Sequence, residues 1–234
     1  GEIKAGIPHN GEASRDWWEV RPGSGKRQLQ MQIQAPLDGI LVERTVIMDE
    51  KYPVFQVHET FTNQNSFGRL SNVVQHVTLG PPFLSTDTRV YSNAKQGFLQ
   101  SFSWPDPYQH AFTWPIAHDP VHQKNIDLQR ADYPGNYVSS HIFEDSIGWV
   151  VAHDPRHNLW IGYLWNTGEY PWINVWHHIE NDQPMARGIE FGTAGIGRDY
   201  EDLLAQDSRF YGRNSFEYMD AGAKINKKFM AFLL

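Results

Sequence analysis

Polar and apolar positions alternate with a period of two over much of the chain. Gln28, Gln30, Gln32 and Gln34 interleave with Leu29, Met31 and Ile33, the pattern of a strand with one buried face. Residues 39–48 are rich in β-branched side chains and predict a second strand. Residues 54–61 alternate again, with Phe55, Val57 and Phe61 on one side. Further strands are predicted over 148–152, 158–165, 172–177, 186–193, 215–219 and 227–233. Turn-forming clusters punctuate them, among them Pro22-Gly23-Ser24-Gly25, Asp154-Pro155 and Asn166-Thr167-Gly168. Only residues 199–206 read as a helix. Many short strands with turns between them predict an all-β, antiparallel sandwich, and no linker or repeat divides residues 1–234, which reads as one domain.

Residues 101–137 break the pattern. They are rich in Pro, Trp, His and Asp, and long irregular stretches in compact domains are often functional. Trp104, Tyr108, Phe112 and Trp114 could wall a cleft there, or pack on one another as a closed surface loop.

Composition narrows the function. Nine Trp in 234 residues supply either a bulky core or flat apolar platforms, and such platforms suit the C–H face of a sugar ring. Trp17, Trp104, Trp165 and Trp176 are the candidate platforms. The net charge of −7, with no basic run, argues against a nucleic-acid partner. The lack of Cys removes disulfides and thiolate metal sites. No apolar run has the length of a membrane-spanning helix, and no secretory leader is evident. Eleven His invite a metal reading at His118-Asp119, His153-Asp154 and His177-His178, but no zinc-type or cupin-type spacing accompanies them. No metal and no cofactor is therefore expected. Gly195-Ile196-Gly197 lacks the third glycine of a dinucleotide fingerprint.

Four ordered stretches carry a resemblance. They are His9-Asn10-Gly11-Glu12-Ala13 with Trp17-Trp18-Glu19-Val20, and then Glu43-Arg44-Thr45-Val46, Glu59-Thr60-Phe61-Thr62-Asn63 and His76-Val77-Thr78-Leu79-Gly80. Arg187-Gly188-Ile189-Glu190-Phe191-Gly192-Thr193 follows, and Phe216-Glu217-Tyr218-Met219-Asp220-Ala221-Gly222 closes the series. In this order they resemble the aldose 1-epimerase, or galactose mutarotase-like, superfamily. The resemblance implies a large antiparallel supersandwich that binds a small sugar or oligosaccharide and interconverts its anomers. Family members carry more strands before the His9 passage, so the chain is expected to begin inside the fold. The resemblance makes Glu190 the catalytic base and places His76 in the sugar site. It places His141 near the position of a second catalytic His, the expected acid, with His178 as the rival. His9 and Arg15 become candidate substrate contacts. A strand through 189–191 would turn Glu190 away from Ile189 and Phe191, towards a cleft or solvent. Without the family, any one of these His or Glu residues reads as an ordinary surface or core side chain. A non-catalytic carbohydrate-binding domain on the same fold is the alternative, as is the sandwich part of a polysaccharide-active enzyme.

Overall fold

The computed structural model describes residues 6, 8, 10–102 and 106–234. In chain order its strands begin with β1 (Glu19–Pro22), β2 (Gln28–Ala35), β3 (Ile40–Met48), β4 (Val54–Asn63), β5 (Arg69–Ser71), β6 (Val74–Gln75) and β7 (Thr78–Leu79). There follow β8 (Arg89–Ser92), β9 (Gln96–Leu99), β10 (Phe112–Thr113), β11 (Ile116–Asp119), β12 (Lys124–Asp127) and β13 (Tyr137–Ile142). The last are β14 (Ile147–Asp154), β15 (Leu159–Asn166), β16 (Trp172–Glu180), β17 (Gln183–Gly192), the short helix α1 (Tyr200–Leu204), β18 (Glu217–Met219) and β19 (Lys224–Leu233). Each strand predicted from alternation is present, and α1 lies within the predicted helix. None of the described helices is long and apolar enough to cross a membrane.

The chain forms two compact units. The first comprises residues 1–71, 198–207 and 216–231. Its strands lie in the order β1-β2-β3-β4-β19, with β5 and β18 as a separate antiparallel pair. The β2–β3 turn closes at Gly39, which adopts φ 66°, a conformation that glycine takes without strain. Buried Glu12 ties the N-terminal turn to this hairpin by accepting the Leu37 and Asp38 N–H groups (3.1 and 2.9 Å). On the neighbouring strands Arg44 forms an ion pair with buried Glu59 (2.6 Å) and lies 4.8 Å from the Trp18 ring centre.

The second unit comprises residues 72–197, 208–215 and 232–234. One sheet in it runs β8-β14-β15. The other runs β10-β9-β13-β16-β17-β6, and β7 also pairs with β17. The two are joined face to face by aromatic packing, with Trp165 stacked on Phe191 at 4.2 Å and Tyr163 also against it. Ile173, Val175, Ile189 and Phe191 are fully buried. β13 escaped the sequence reading for a physical reason. It is an inner strand with nearly every residue buried on both sides, including Ser139, Ser140 and His141, so it shows no alternation.

The stretch 101–137 also gains structure. β11 and β12 form a hairpin, and Leu99, Ala117, Ile126, Leu128 and Tyr137 make a small core against which Phe102, Phe112, Trp114 and Tyr133 pack. Of the two readings left open, the structure shows Phe112 and Trp114 packed inwards, while Tyr108 leans on Phe210 and Tyr211. Asp119 and Asp154 hold matching hairpin turns. Asp119 accepts two backbone N–H groups of its turn and Asp154 one, and each pairs with the His three residues on, His122 or His157. The bond from His122 holds the Asp119 carboxyl below the usual range.

Candidate active site

Three adjacent strands of the second unit position the site. In their antiparallel register, Ser140 of β13, Asn174 of β16 and Glu190 of β17 form one cross-strand row. Along the outer edge of β17, Gln75 pairs with Phe191 and Leu79 with Arg187. Both pairs keep one register, which sets His76 opposite Glu190. The edge segment through His76 is two short strand pieces, β6 and β7. Between them the Val77 N–H turns back to Gln75 O (2.9 Å), and Ile189 N–H reaches Val77 O (2.9 Å).

The result is an imidazole beside a carboxylate. His76 Nδ1 lies 3.2 Å from Glu190 Oε1. A carboxylate only accepts, so Nδ1–H donates. The Glu190 side chain is 12% exposed and that of His76 41%, so the pair is sheltered but reachable from solvent. Gly188 makes room for it. A Cβ at that position would stand 2.8 Å from Glu190 Oε1 and 3.0 Å from Trp176 Cβ.

A polar relay approaches the same row from the other side. Gln100 Nε2 donates to Ser140 Oγ (2.9 Å), Ser140 Oγ donates to Asn174 Oδ1 (2.7 Å), and Asn174 Nδ2 donates to Ala194 O (3.1 Å). The relay fixes the Asn174 amide and holds the segment after β17 over this end of the sheet. Sequence inspection did not single out Gln100, Ser140 or Asn174. Only the strand pairing places Ser140 and Asn174 on the Glu190 face, and Gln100 joins them by its bond to Ser140.

The reverse face of the same strands is closed core. Here the next rows are Tyr137–His177–Arg187 and His141–Ile173–Phe191. His141 is fully buried between the edges of Phe112 and Trp114, and Gly97 leaves the space for its ring. Burial pushes its pKa down to about 3. His177 Nε2–H donates to Tyr133 O (3.0 Å), and burial with the Arg187 charge lowers its pKa to about 4. Arg187, also fully buried, donates to Tyr137 Oη and Leu128 O.

The candidate residues therefore separate. The structure brings Glu190 and His76 together and puts Trp176 and His178 on their face, the two rings near-parallel at 5.8 Å. His178 Nε2 also meets Glu180 Oε1 at 3.1 Å. His141, expected as the acid, projects from the opposite face as a neutral core imidazole, away from Glu190. Trp165 is 2% exposed, stacked on Phe191 with its Nε1–H on Tyr170 O (2.9 Å), and forms part of the core. Arg15 and Trp17 are exposed residues of the first unit, Trp17 at 97%. His9 and Trp104 lie outside the described residues. Among the described residues no three His, Asp or Glu side chains gather as a metal site.

No family model matches the sequence, and no curated protein matches it. Solved structures do share its fold. A candidate aldose 1-epimerase from Klebsiella pneumoniae superposes with a TM-score of 0.66 at 13% identity, over 93% of this chain and 54% of its own. A galactose mutarotase related enzyme from Lactobacillus acidophilus gives 0.69 at 10% identity, over 97% and 74%. A galactose mutarotase-like protein from Clostridium acetobutylicum gives 0.66 at 12% identity, over 100% and 71%. The chain is thus an antiparallel β-sandwich protein. Its fold is the galactose mutarotase-like one that the ordered sequence stretches resembled, and it spans about half the length of the first of these structures.

Proposed function

We propose that the chain handles sugars and that Glu190 and His76 interconvert the anomers of an aldose. The observation that carries this reading is the 3.2 Å contact between the two side chains at a solvent-reachable point of the sheet. Mutarotation needs one group to take the proton from the anomeric hydroxyl and another to protonate the ring oxygen. Glu190 takes the first proton and His76 delivers the second. The bond from C1 to the ring oxygen breaks, leaving an open-chain aldehyde. The C1–C2 bond rotates, and the reverse transfers reclose the ring on the other face. Gly188 keeps the carboxylate unobstructed, and the Asn174 relay holds the site's inner wall.

Polarimetry of freshly dissolved α-glucose and α-galactose tests the reading. The protein is expected to speed the decay of rotation, and Glu190→Gln to slow the turnover by about 10²–10⁴-fold. Decay at the buffer rate with both proteins would overturn it. A non-catalytic sugar-binding module is the second reading. The burial of His141 on the far face favours it, because the sequence resemblance had given the reaction two His. Sugar-dependent changes in Trp fluorescence without catalysis would select it.

A further inference from the structure

The β8-β14-β15 sheet buries one face against Phe191 and turns the other outward. On β14 the outward positions are Ile147, Trp149, Val151 and His153, since Gly148, Val150 and Ala152 between them are buried. Their partners on β15 are Asn166, Leu164, Gly162 and Trp160. Phe232 fills the space over Gly162, where a Cβ would stand 2.2 Å from its ring, and Tyr91 of β8 pairs with Val151. A sheet surface that faces water is normally polar. β2 obeys that rule, with Gln28, Gln30, Gln32 and Gln34 outward beside Glu43 and Thr45 of β3. The β14–β15 surface breaks it, and Ile147 stands 49% exposed. The rings there hold one another. His153 stacks on Trp160 at 3.8 Å and Tyr91 on Trp160 at 6.2 Å, and His153 Nε2 is buried without a hydrogen-bond partner. A surface built for water would leave that nitrogen wet.

We infer that a second copy of the chain packs on this face, sheet on sheet about a two-fold axis. A contiguous apolar face of this kind marks an interaction site. The eight residues of β14, across three strands and the end of β19, span about 26 Å by about 19 Å. That is roughly 500 Å² per copy and roughly 1,000 Å² in a pair, the threshold of specific association. The ends of the face select a copy of itself. Exposed Glu144 and Asp145 precede β14, and exposed Arg156 and His157 follow it. Asp145 and Arg156 each lie two residues beyond the strand (147 − 145 and 156 − 154). With the two β14 strands antiparallel, Asp145 of each copy meets Arg156 of the other. Arg156 is already turned to Asp154 Oδ1 (3.2 Å), so these rim pairs set orientation while the apolar centre supplies the affinity.

Sedimentation equilibrium makes the test. The chain is expected to show a monomer–dimer equilibrium with a Kd of about 10 μM. Val151→Lys puts a charge at the centre of the face and is expected to raise that Kd by about 100-fold or more. Val151 lies on an outward surface, so the melting temperature of the dilute protein is expected to stay unchanged. Asp145→Arg and Arg156→Asp are each expected to raise the Kd about tenfold, about 1.4 kcal/mol. Both exchanges in one chain restore it to within a few-fold, because each copy then offers the reversed pair. A monomer at every concentration overturns the inference, as does a dimer indifferent to Val151→Lys. A dimer weakened by both single reversals and not restored by the double exchange overturns the two-fold arrangement. None of these substitutions touches Glu190 or His76, so the outcome is independent of the anomer reaction.

Discussion

The two faces of the β13–β16–β17 sheet use the same residue types to opposite ends. One face carries His141, His177 and Arg187, all fully buried. The other carries His76, His178 and Glu190, all in reach of water. On the buried face desolvation keeps both imidazoles neutral, and the guanidinium's hydrogen bonds go to a phenol and a carbonyl. On the open face an imidazole and a carboxylate meet where a proton can enter and leave. Adjacent positions such as His177 and His178 fall on different sides because successive strand residues point apart. A histidine's usefulness here is therefore set by which face its strand position assigns it to.

The sharpest way to break that contrast is kinetic. His76→Asn is expected to lower the mutarotation turnover by about 100-fold or more without shifting the melting temperature. His141→Phe is expected to leave turnover within a few-fold. A turnover loss in His141→Phe matching that in His76→Asn would erase the distinction between the faces.

Stability should respond to the other side. Arg187→Met removes charge-assisted hydrogen bonds to Tyr137 and Leu128 and is expected to destabilise by about 3 kcal/mol in urea unfolding. A loss well under 1 kcal/mol would mean that the buried guanidinium contributes little to the fold.

Acid should act through the same face. His141 and His177 titrate near 3 and 4 in the folded chain against 6.5 when unfolded. Between these limits the unfolded chain binds protons that the folded chain refuses. Their contribution is thus complete above about pH 6.5 and is lost as pH falls towards 4 and then 3. Each site steepens the decline by up to about 1.4 kcal/mol per pH unit. His141→Phe should flatten the denaturation midpoint between pH 6 and 4; an unchanged slope would contradict its burial. The smallest effect belongs to the open face, where His178→Ala should change stability by less than about 0.5 kcal/mol. A larger loss by calorimetry would show that this face also supports the fold.

Legibility in the sequence followed exposure. Half-buried strands such as β2 announce themselves because alternate side chains meet water and core. Inner strands such as β13 do not, since both faces are covered and Ser139 and Ser140 resemble loop residues. The short helix α1 was visible from its local run of helix formers. The self-packed aromatics Phe112 and Trp114 were ambiguous, because composition alone does not say whether a ring faces a cleft or a core. Glu190 stood out only through its place in an ordered series, with Ile189 and Phe191 around it.

By itself the sequence determined the β class of the protein, its strands of eight residues or more, and the two faces of each, because the period of two is a local property of an extended chain. It also singled out Glu190 and His76. Pairing decided the rest. A common register on the edge of β17 put His76, rather than His141, against the carboxylate. The same pairing sent Trp165 into the core, left Trp176 on the site face, and brought Asn174 and Ser140 into a row with Glu190, to which Gln100 adds a side-chain hydrogen bond. Those neighbours are 16 to 90 residues apart in the chain (190 − 174 and 190 − 100), and only hydrogen-bonded strands carry information over such distances.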